Sequence, residues 1–398
     1  MEVTLKRIQS IDILRGIVMV LMALDHVRDY FHIAAWTDDP LNLETTTPTL
    51  FFTRYITHFC APIFVFLSGT SVYLQSIRKT KTELSVFLIK RGLWLIFAEL
   101  AIVNFAWTFN PNYPLQIFQV IWAIGISMLI LGLLIKLPFN YIFGIGLLIV
   151  LGHNLLDFPE AATGFKAGFW WDLLHHGHSV SYPINAYHSI FIFYPFLPWT
   201  GLMLLGYCIG KFYTPSFSST QRAFIFNRLG IALLLFFILL RATNVYGDPT
   251  PWHFQTNSFY TFFSFLNVQK YPPSLLYMSI TIGFALLALV ALEKIENRFS
   301  RAMVVFGRTA FFYYILHLLL IHILAFINYF IHGHSIEQIF YFSKQYKIPF
   351  LGVVSADGYG LKMVYLIWIV VILILYPICK WYDSYKTANR KQWWLSYL

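Results

Sequence analysis

The sequence predicts an all-α polytopic membrane helix bundle of about ten transmembrane helices, with the N- and C-termini both on the cytoplasmic side. Three observations predict it. Only 12% of the 398 residues are charged, against about 25% in soluble domains, while 58% are hydrophobic and the mean hydropathy is +0.63. Ten apolar stretches reach roughly the 20 residues that cross a bilayer core: 11–31, 50–77, 84–107, 116–136, 138–156, 188–212, 223–243, 274–294, 302–331 and 360–384. Lysine and arginine collect in alternate loops, and positive loops stay cytoplasmic. With the N-terminus inside, inner loops hold nineteen of the 28, from Lys6 and Arg7 to Arg390 and Lys391. The outer side holds eight, among them Arg28, Arg54, Lys270, Lys344 and Lys347, and Arg15 lies within the first span.

The composition excludes other classes. No Lys/Arg run with interleaved polar residues suits a nucleic acid; the positive charge marks orientation and contact with anionic lipid. Cys60, Cys208 and Cys379 each sit in an apolar segment and read as small buried hydrophobes. The first apolar run carries Asp25 and His26 with no small-residue cleavage site after it, so no removable signal peptide is expected. No repeat of 20–50 residues and no similarity between halves appears, so residues 1–398 read as a single domain. No P-loop, GxGxxG, HExxH or GxSxG motif occurs, which removes nucleotide hydrolysis, dinucleotide redox, metalloprotease and α/β-hydrolase chemistry.

The first span, "RGIVMVLMALDHVRDYFH", begins apolar and ends ionisable. Residues three and four apart share a helix face, so Asp25, Arg28, Asp29 and His32 form one stripe, with Asp29 also one turn above His26. At 1.5 Å per residue, Arg15 and His26 are separated by roughly 16 Å of depth. The plain reading pairs Asp25 with Arg28 and lets the cluster snorkel into headgroups. The functional reading is a proton-handling site, with His26 oriented by Asp29 or His32 by Asp25.

The second span, "TRYITHFCAPIFVFLSGTS", brings Arg54 and His58 to the same depth, with Pro62 to kink it. The fourth and fifth are divided by "KLPFN". In the sixth, Trp199 of "PFLPWTG" is a candidate tunnel wall, though packing is its commoner role. The ninth, "GRTAFFYYILHLLLIH", carries His317 near mid-depth, where polar groups are expensive, with Tyr313 one turn below; His322 points about 140° away. The longer loops fall outside. Two of them hold the histidine clusters His175, His176, His178 and His332, His334, which lack a cysteine or acid in register for zinc. They read as solvated residues, and no metal is expected.

These residues carry a resemblance. "SIDILRGIVMVLMALDHVRDYF" and "FTRYITHFCAPIFVFLSGTS" resemble the opening of bacterial membrane proteins related to heparan-α-glucosaminide N-acetyltransferase. "FYPFLPWTGLMLLGYCIGK", "LRATNVYGDPTPW", "FLNVQKYPPSLLY" and "FGRTAFFYYILHLLLIH" fit the same group, in order over nearly the whole chain. The resemblance implies a multi-pass protein of the bacterial inner membrane that moves an acetyl or other acyl group from cytosolic acyl-CoA to an extracytoplasmic glycan or amino-sugar acceptor. It also implies that a histidine just outside the first span does the chemistry. The lysosomal member has Asn at the position of His26, and its active histidine precedes a Trp by three residues where His32 precedes Trp36 by four; both remain candidates.

Such chemistry needs a base, oxyanion donors and a thioester path. His26, Asp25, Asp29, His32 and His58 are the catalytic candidates, and Arg28, Arg54 and His317 the substrate and oxyanion candidates. Arg15, Arg91 and Arg308 are the candidates for the acetyl-CoA phosphates, with Arg78 and Lys90 beside them. A proton-coupled secondary transporter using the same His/Asp cluster is the rival reading, and a non-catalytic assembly component a third. The oligomeric state stays open, a homodimer included.

Overall fold

Helices hold 70% of the protein in a computed structural model that describes residues 8–177, 181–340, 350–389 and 391–396. Lys6, Arg7, Lys344, Lys347 and Arg390 of the charge tally, and His178 of the first histidine cluster, lie outside the described residues.

The chain opens with α1 (Gln9–Phe31), which ends where His32 turns extended. Helix α2 (Pro48–Thr57) is started by Thr47, whose side chain accepts from the Leu50 amide, with proline at the first helical position. It is offset by His58 and Phe59 from α3 (Cys60–Ser76). Pro62 has no amide hydrogen to return to the His58 carbonyl four residues back, and the Tyr277 hydroxyl donates to that carbonyl instead, at 2.5 Å. Helix α4 (Lys81–Ala98) begins with a capping box between Thr80 and Glu83. It runs through a π-helical turn at Glu99–Val103 into α5 (Asn104–Thr108).

Next come β1 (Leu115–Phe118), α6 (Val120–Leu134), α7 (Phe139–Gly152) and the short α8 (Asp157–Glu160) and α9 (Phe169–Leu174). Strands β2 (Ser181–Pro183) and β3 (Ser189–Ile192) lead to α10 (Phe196–Ile209) and α11 (Ser219–Thr243). The remainder is α12 (Ser258–Leu266), α13 (Leu275–Leu292), α14 (Arg298–Arg308), α15 (Ala310–Ile331) and α16 (Leu361–Ala388).

The helical expectation holds for most of the protein, and a small three-stranded sheet of order β1-β3-β2, with β1 parallel and β2 antiparallel to β3, stands beside the helices. The apolar stretches at 116–136 and 188–212 both begin in it. Asn104 fixes its edge: its carboxamide accepts from the Ile117 amide at 2.7 Å and donates to the Ile117 carbonyl at 3.0 Å. Each of the ten stretches contains a helix, but 302–331 is broken at Thr309 into α14 and α15. Among the described residues six helical segments are long and apolar enough to cross a membrane: Pro48–Ser76, Phe139–Glu160, Ser219–Thr243, Leu275–Leu292, Ala310–Ile331 and Leu361–Ala388. Helix α1 has the length at 23 residues, with its charges at the two ends.

Four helix pairs meet through opposed glycines, the small-residue contact that lets membrane helices approach backbone to backbone. Gly16 of α1 faces Gly307 of α14, Gly69 of α3 faces Gly206 of α10, Gly92 of α4 faces Gly125 of α6, and Gly230 of α11 faces Gly283 of α13. Helices α11 and α16 are largely exposed, whereas α3 and α13 are central. The last turns of α1, the α2–α3 junction, α5, β1, β3 and α15 surround one cavity.

Candidate active site

Two histidines from helices far apart in sequence meet in this cavity. His26 Nδ1 lies 2.7 Å from His317 Nε2, with the rings stacked at 4.9 Å. On its other side, His317 Nδ1 lies 3.0 Å from the Tyr313 carbonyl oxygen. A carbonyl only accepts, so His317 carries its proton on Nδ1 and offers the Nε2 lone pair. His26 therefore donates from Nδ1, and its Nε2 is left with a lone pair. The hydrogen-bond network thus assigns both tautomers. His317 is fully buried and His26 half-buried against Trp107, whose ring centroid is 4.7 Å away. An imidazole so oriented presents a base to whatever occupies the cavity.

Neither expected pairing of histidine with carboxylate forms. Arg28 Nη2 takes Asp29 at 2.6 Å and Asp25 at 3.1 Å, and Arg54 Nη1 takes the other oxygen of Asp25 at 2.5 Å. A guanidinium within reach makes a stronger, charge-assisted bond to each acid than an imidazole would, so the orienting partner of His26 is His317. His32 lies past the end of α1, with Nδ1 accepting from the Ala34 amide at 3.3 Å. Burial and then the Arg28 charge hold its imidazole below the ordinary histidine range. His58 is buried at the α2–α3 junction and lines an adjoining cavity with Arg28, Arg54 and Lys270.

The cavity measures about 400 Å³ and includes Asp25, His26, Asp29, Trp107, Lys270 and Tyr314 in its wall. This is within the size of small-molecule sites. Lys270 is the residue that sequence reasoning passed over as one outer charge among eight. It is 7% exposed, and among the described residues no acid or carbonyl holds its Nζ, which sits 5.1 Å from the Tyr271 ring centroid. The sequence signal was available: a lone lysine between apolar "FLNV" and aromatic "YPP".

A second cavity, about 770 Å³, opens beside the other half of α1. Arg15, Arg91 and Arg308 all line it, and Lys79 and Lys386 join them, with no aspartate or glutamate in the lining among the described residues. Arg78 and Lys90 do not line it and are exposed. Arg15 is steadied by Ser71 Oγ at 2.7 Å, and Arg308 by Asp383 at 3.0 Å and Thr387 at 2.9 Å. Five cationic side chains suit a polyanionic ligand such as a nucleotide phosphate cluster.

The two cavities lie back to back. On α3, Ala61 faces the His26 cavity and Phe64 the Arg15 cavity; on α15, Tyr314 and Phe311 divide in the same way. On α6 the division falls between the adjacent Val120 and Ile121. On these three helices the two linings come within about one helical turn, roughly 5 Å, whereas on α1 Met22 and Arg15 stand about two turns apart. Trp199 faces neither cavity and packs on Tyr194 at 5.1 Å.

Of the loop histidines expected to be solvated, His332 is exposed, whereas three others are held by the protein. His175 is fully buried, His176 bonds Asp172 at 2.7 Å, and His334 bonds Asp357 at 2.6 Å. His322 sits between the carbonyls of Ala106 and Leu351, at 3.1 and 2.8 Å.

Comparison with known proteins gives one finding. The family model described as "Heparan-alpha-glucosaminide N-acetyltransferase, catalytic" matches residues 7–246, over half of the chain. No curated protein matches it.

Proposed function

The chain belongs to the heparan-alpha-glucosaminide N-acetyltransferase catalytic family, and from that premise we propose that it carries acetyl groups across a bacterial cytoplasmic membrane. Acetyl-CoA docks in the Arg15 cavity from the cytosol, and the His26 cavity receives an extracytoplasmic sugar. The carrying observation is a bare imidazole nitrogen in a cavity that backs onto one whose charged lining residues, among the described residues, are all cationic.

The thioester carbonyl reaches through the thin wall from below. The acceptor amine or hydroxyl attacks the carbonyl carbon, and His26 Nε2 takes the proton that the nucleophile sheds. His317 holds the resulting imidazolium in place through Nδ1 of His26. Lys270 Nζ offers charge to the oxyanion, since Arg28 and Arg54 are committed to Asp25 and Asp29. The tetrahedral intermediate then expels coenzyme A thiolate into the lower cavity.

The first test is titration of the detergent-purified protein with acetyl-CoA, followed by mass spectrometry of a glucosamine acceptor. Saturable binding and an acetylated sugar are expected; no binding, together with pH-driven solute flux in proteoliposomes, would favour a carrier instead. Arg91→Ala is expected to raise KM for acetyl-CoA about tenfold or more, the worth of one charge-assisted contact, with kcat little changed. Lys270→Met is expected to lower kcat about 10²-fold, as loss of an oxyanion donor does, while acetyl-CoA affinity stays the same. Steady-state kinetics with each substrate varied separates the two effects.

A further inference from the structure

We propose a binding site for a zinc-class divalent ion where the end of α7 meets α8 and α9, made by His153 Nδ1, His175 Nε2 and Asp157 Oδ1, with Glu160 behind His175. The proposal stands apart from the acetyl-transfer reading and shares no residue with it.

His175 Nδ1 lies 2.8 Å from Glu160 Oε1. A carboxylate accepts, so Nδ1 carries the proton and Nε2 presents its lone pair. Two further groups converge on that lone pair: His153 Nδ1, at 3.1 Å, donates to it as long as no ion is bound and gives up that proton when one binds, and Asp157 Oδ1 lies 3.9 Å away. Nitrogen and oxygen ligands about 2.0–2.2 Å from tetrahedral zinc stand roughly 3.3 Å apart, and these two separations bracket that value. Asp157, Glu160 and His175 offer ligand atoms that all lie within 4.8 Å of one another, and His153 stands outside that group, 3.1 Å from His175.

The surroundings fix the set. Asn154 donates to the second oxygen of Asp157 at 2.7 Å, which turns Oδ1 toward the histidines. Trp171 Nε1 donates to Glu160 Oε1 at 2.8 Å. An imidazole whose far nitrogen is held by a carboxylate is the usual arrangement of a metal-bound histidine. His153 and His175 are 3% and 0% exposed, and among the described residues the polar partner of His153 is the ring of His175, with none at its Nε2. Among the described residues no lysine or arginine bridges Asp157 or Glu160. Two carboxylates facing two buried imidazoles leave negative charge that a divalent ion neutralises. Part-exposed Asp157 leaves the fourth position to a water.

Such an ion ties the loop after α7 to α9, upstream of the strands whose neighbours Phe193 and Tyr194 wall the His26 cavity. Protein stripped with a chelator, mixed with excess Zn²⁺ and desalted, is expected to retain one zinc per chain by mass spectrometry. Co²⁺ in its place is expected to give the visible bands of a tetrahedral ion. Glu160→Gln is expected to weaken zinc binding about 10–100-fold, as loss of a supporting carboxylate does, and Asp157→Asn by more. His176→Ala, next in sequence but paired with Asp172, is expected to retain zinc. Wild-type protein that keeps no zinc, or Asp157→Asn that keeps as much as wild type, overturns the site. Asp157→Asn preserves volume, so it carries the test should His175→Ala fail to fold.

Discussion

Alanine in place of His26 is expected to lower kcat by about 10²–10⁴-fold, the range that a positioned general base supplies, with acetyl-CoA affinity unchanged. The reason lies in the chain of hydrogen bonds. The Tyr313 carbonyl fixes the proton of His317 on Nδ1, which obliges His26 to donate from Nδ1 and to keep Nε2 bare. His317→Ala removes the fixing partner but not the base. It is therefore expected to cost less than His26→Ala and to alter the pH profile of kcat, since the tautomer of His26 is no longer imposed. His32→Ala is expected to change the rate by less than about twofold, because the His32 ring turns to the Ala34 amide outside the cavity. Initial rates with acetyl-CoA saturating decide the matter. Full turnover by His26→Ala, with the protein monodisperse, would remove the base from the mechanism.

Valine in place of Gly16 is expected to be the most damaging change to stability. A Cβ at Gly16 would stand 1.9 Å from the Met303 carbonyl oxygen, and a Cβ at Gly307 would stand 1.9 Å from the carbonyl oxygen of Asp12. Both obstacles are main chain, so no side chain can rotate aside and α1 must separate from α14. Overpacking against movable side chains costs about 1–3 kcal/mol; this contact is expected to exceed that range. The same displacement moves Arg15, which lies 3.5 Å from the Gly307 carbonyl, out of its cavity. Thermal melting in detergent is expected to fall for Gly16→Val and Gly307→Val alike. Gly144→Val, whose Cβ would meet nothing within 4 Å, is the control and is expected to melt near wild type. Equal melting of all three would mean that α1 and α14 do not touch as described.

Much of this protein was legible from spacing alone, and what was not has physical causes. Every apolar stretch contains a helix, because a run of that length has few other ways to satisfy its backbone in lipid. The sheet was hidden because "LQIF" and "SIFI" sit within apolar runs, where a short buried strand and a helix read alike. The break at Thr309 carries neither proline nor a glycine cap and left no mark. Helical periodicity placed Asp25, Arg28 and Asp29 on one stripe and paired Asp25 with Arg28, a pair that forms; that Arg28 and Arg54 would take both acids from the histidines depends on the packing of α2 on α1. His26 and His317 were both singled out, yet 291 positions separate them, and only the packing of α1 on α15 pairs them. The same limit hid His153, which lies within an apolar stretch and gains meaning only beside His175.

The narrow septum between the two chambers also has an electrical meaning. In the proposed orientation, with water in a vestibule on either flank, the membrane voltage drops over the stretch between them, which Phe64, Ile121 and Phe311 border from the Arg15 cavity. An ion crossing that stretch works against about 2.3 kcal/mol per elementary charge for each 100 mV, whereas an uncharged acetyl group feels no such force. Small side chains at these three positions would therefore be expected to short-circuit the cell's proton gradient before they speed delivery of the cargo.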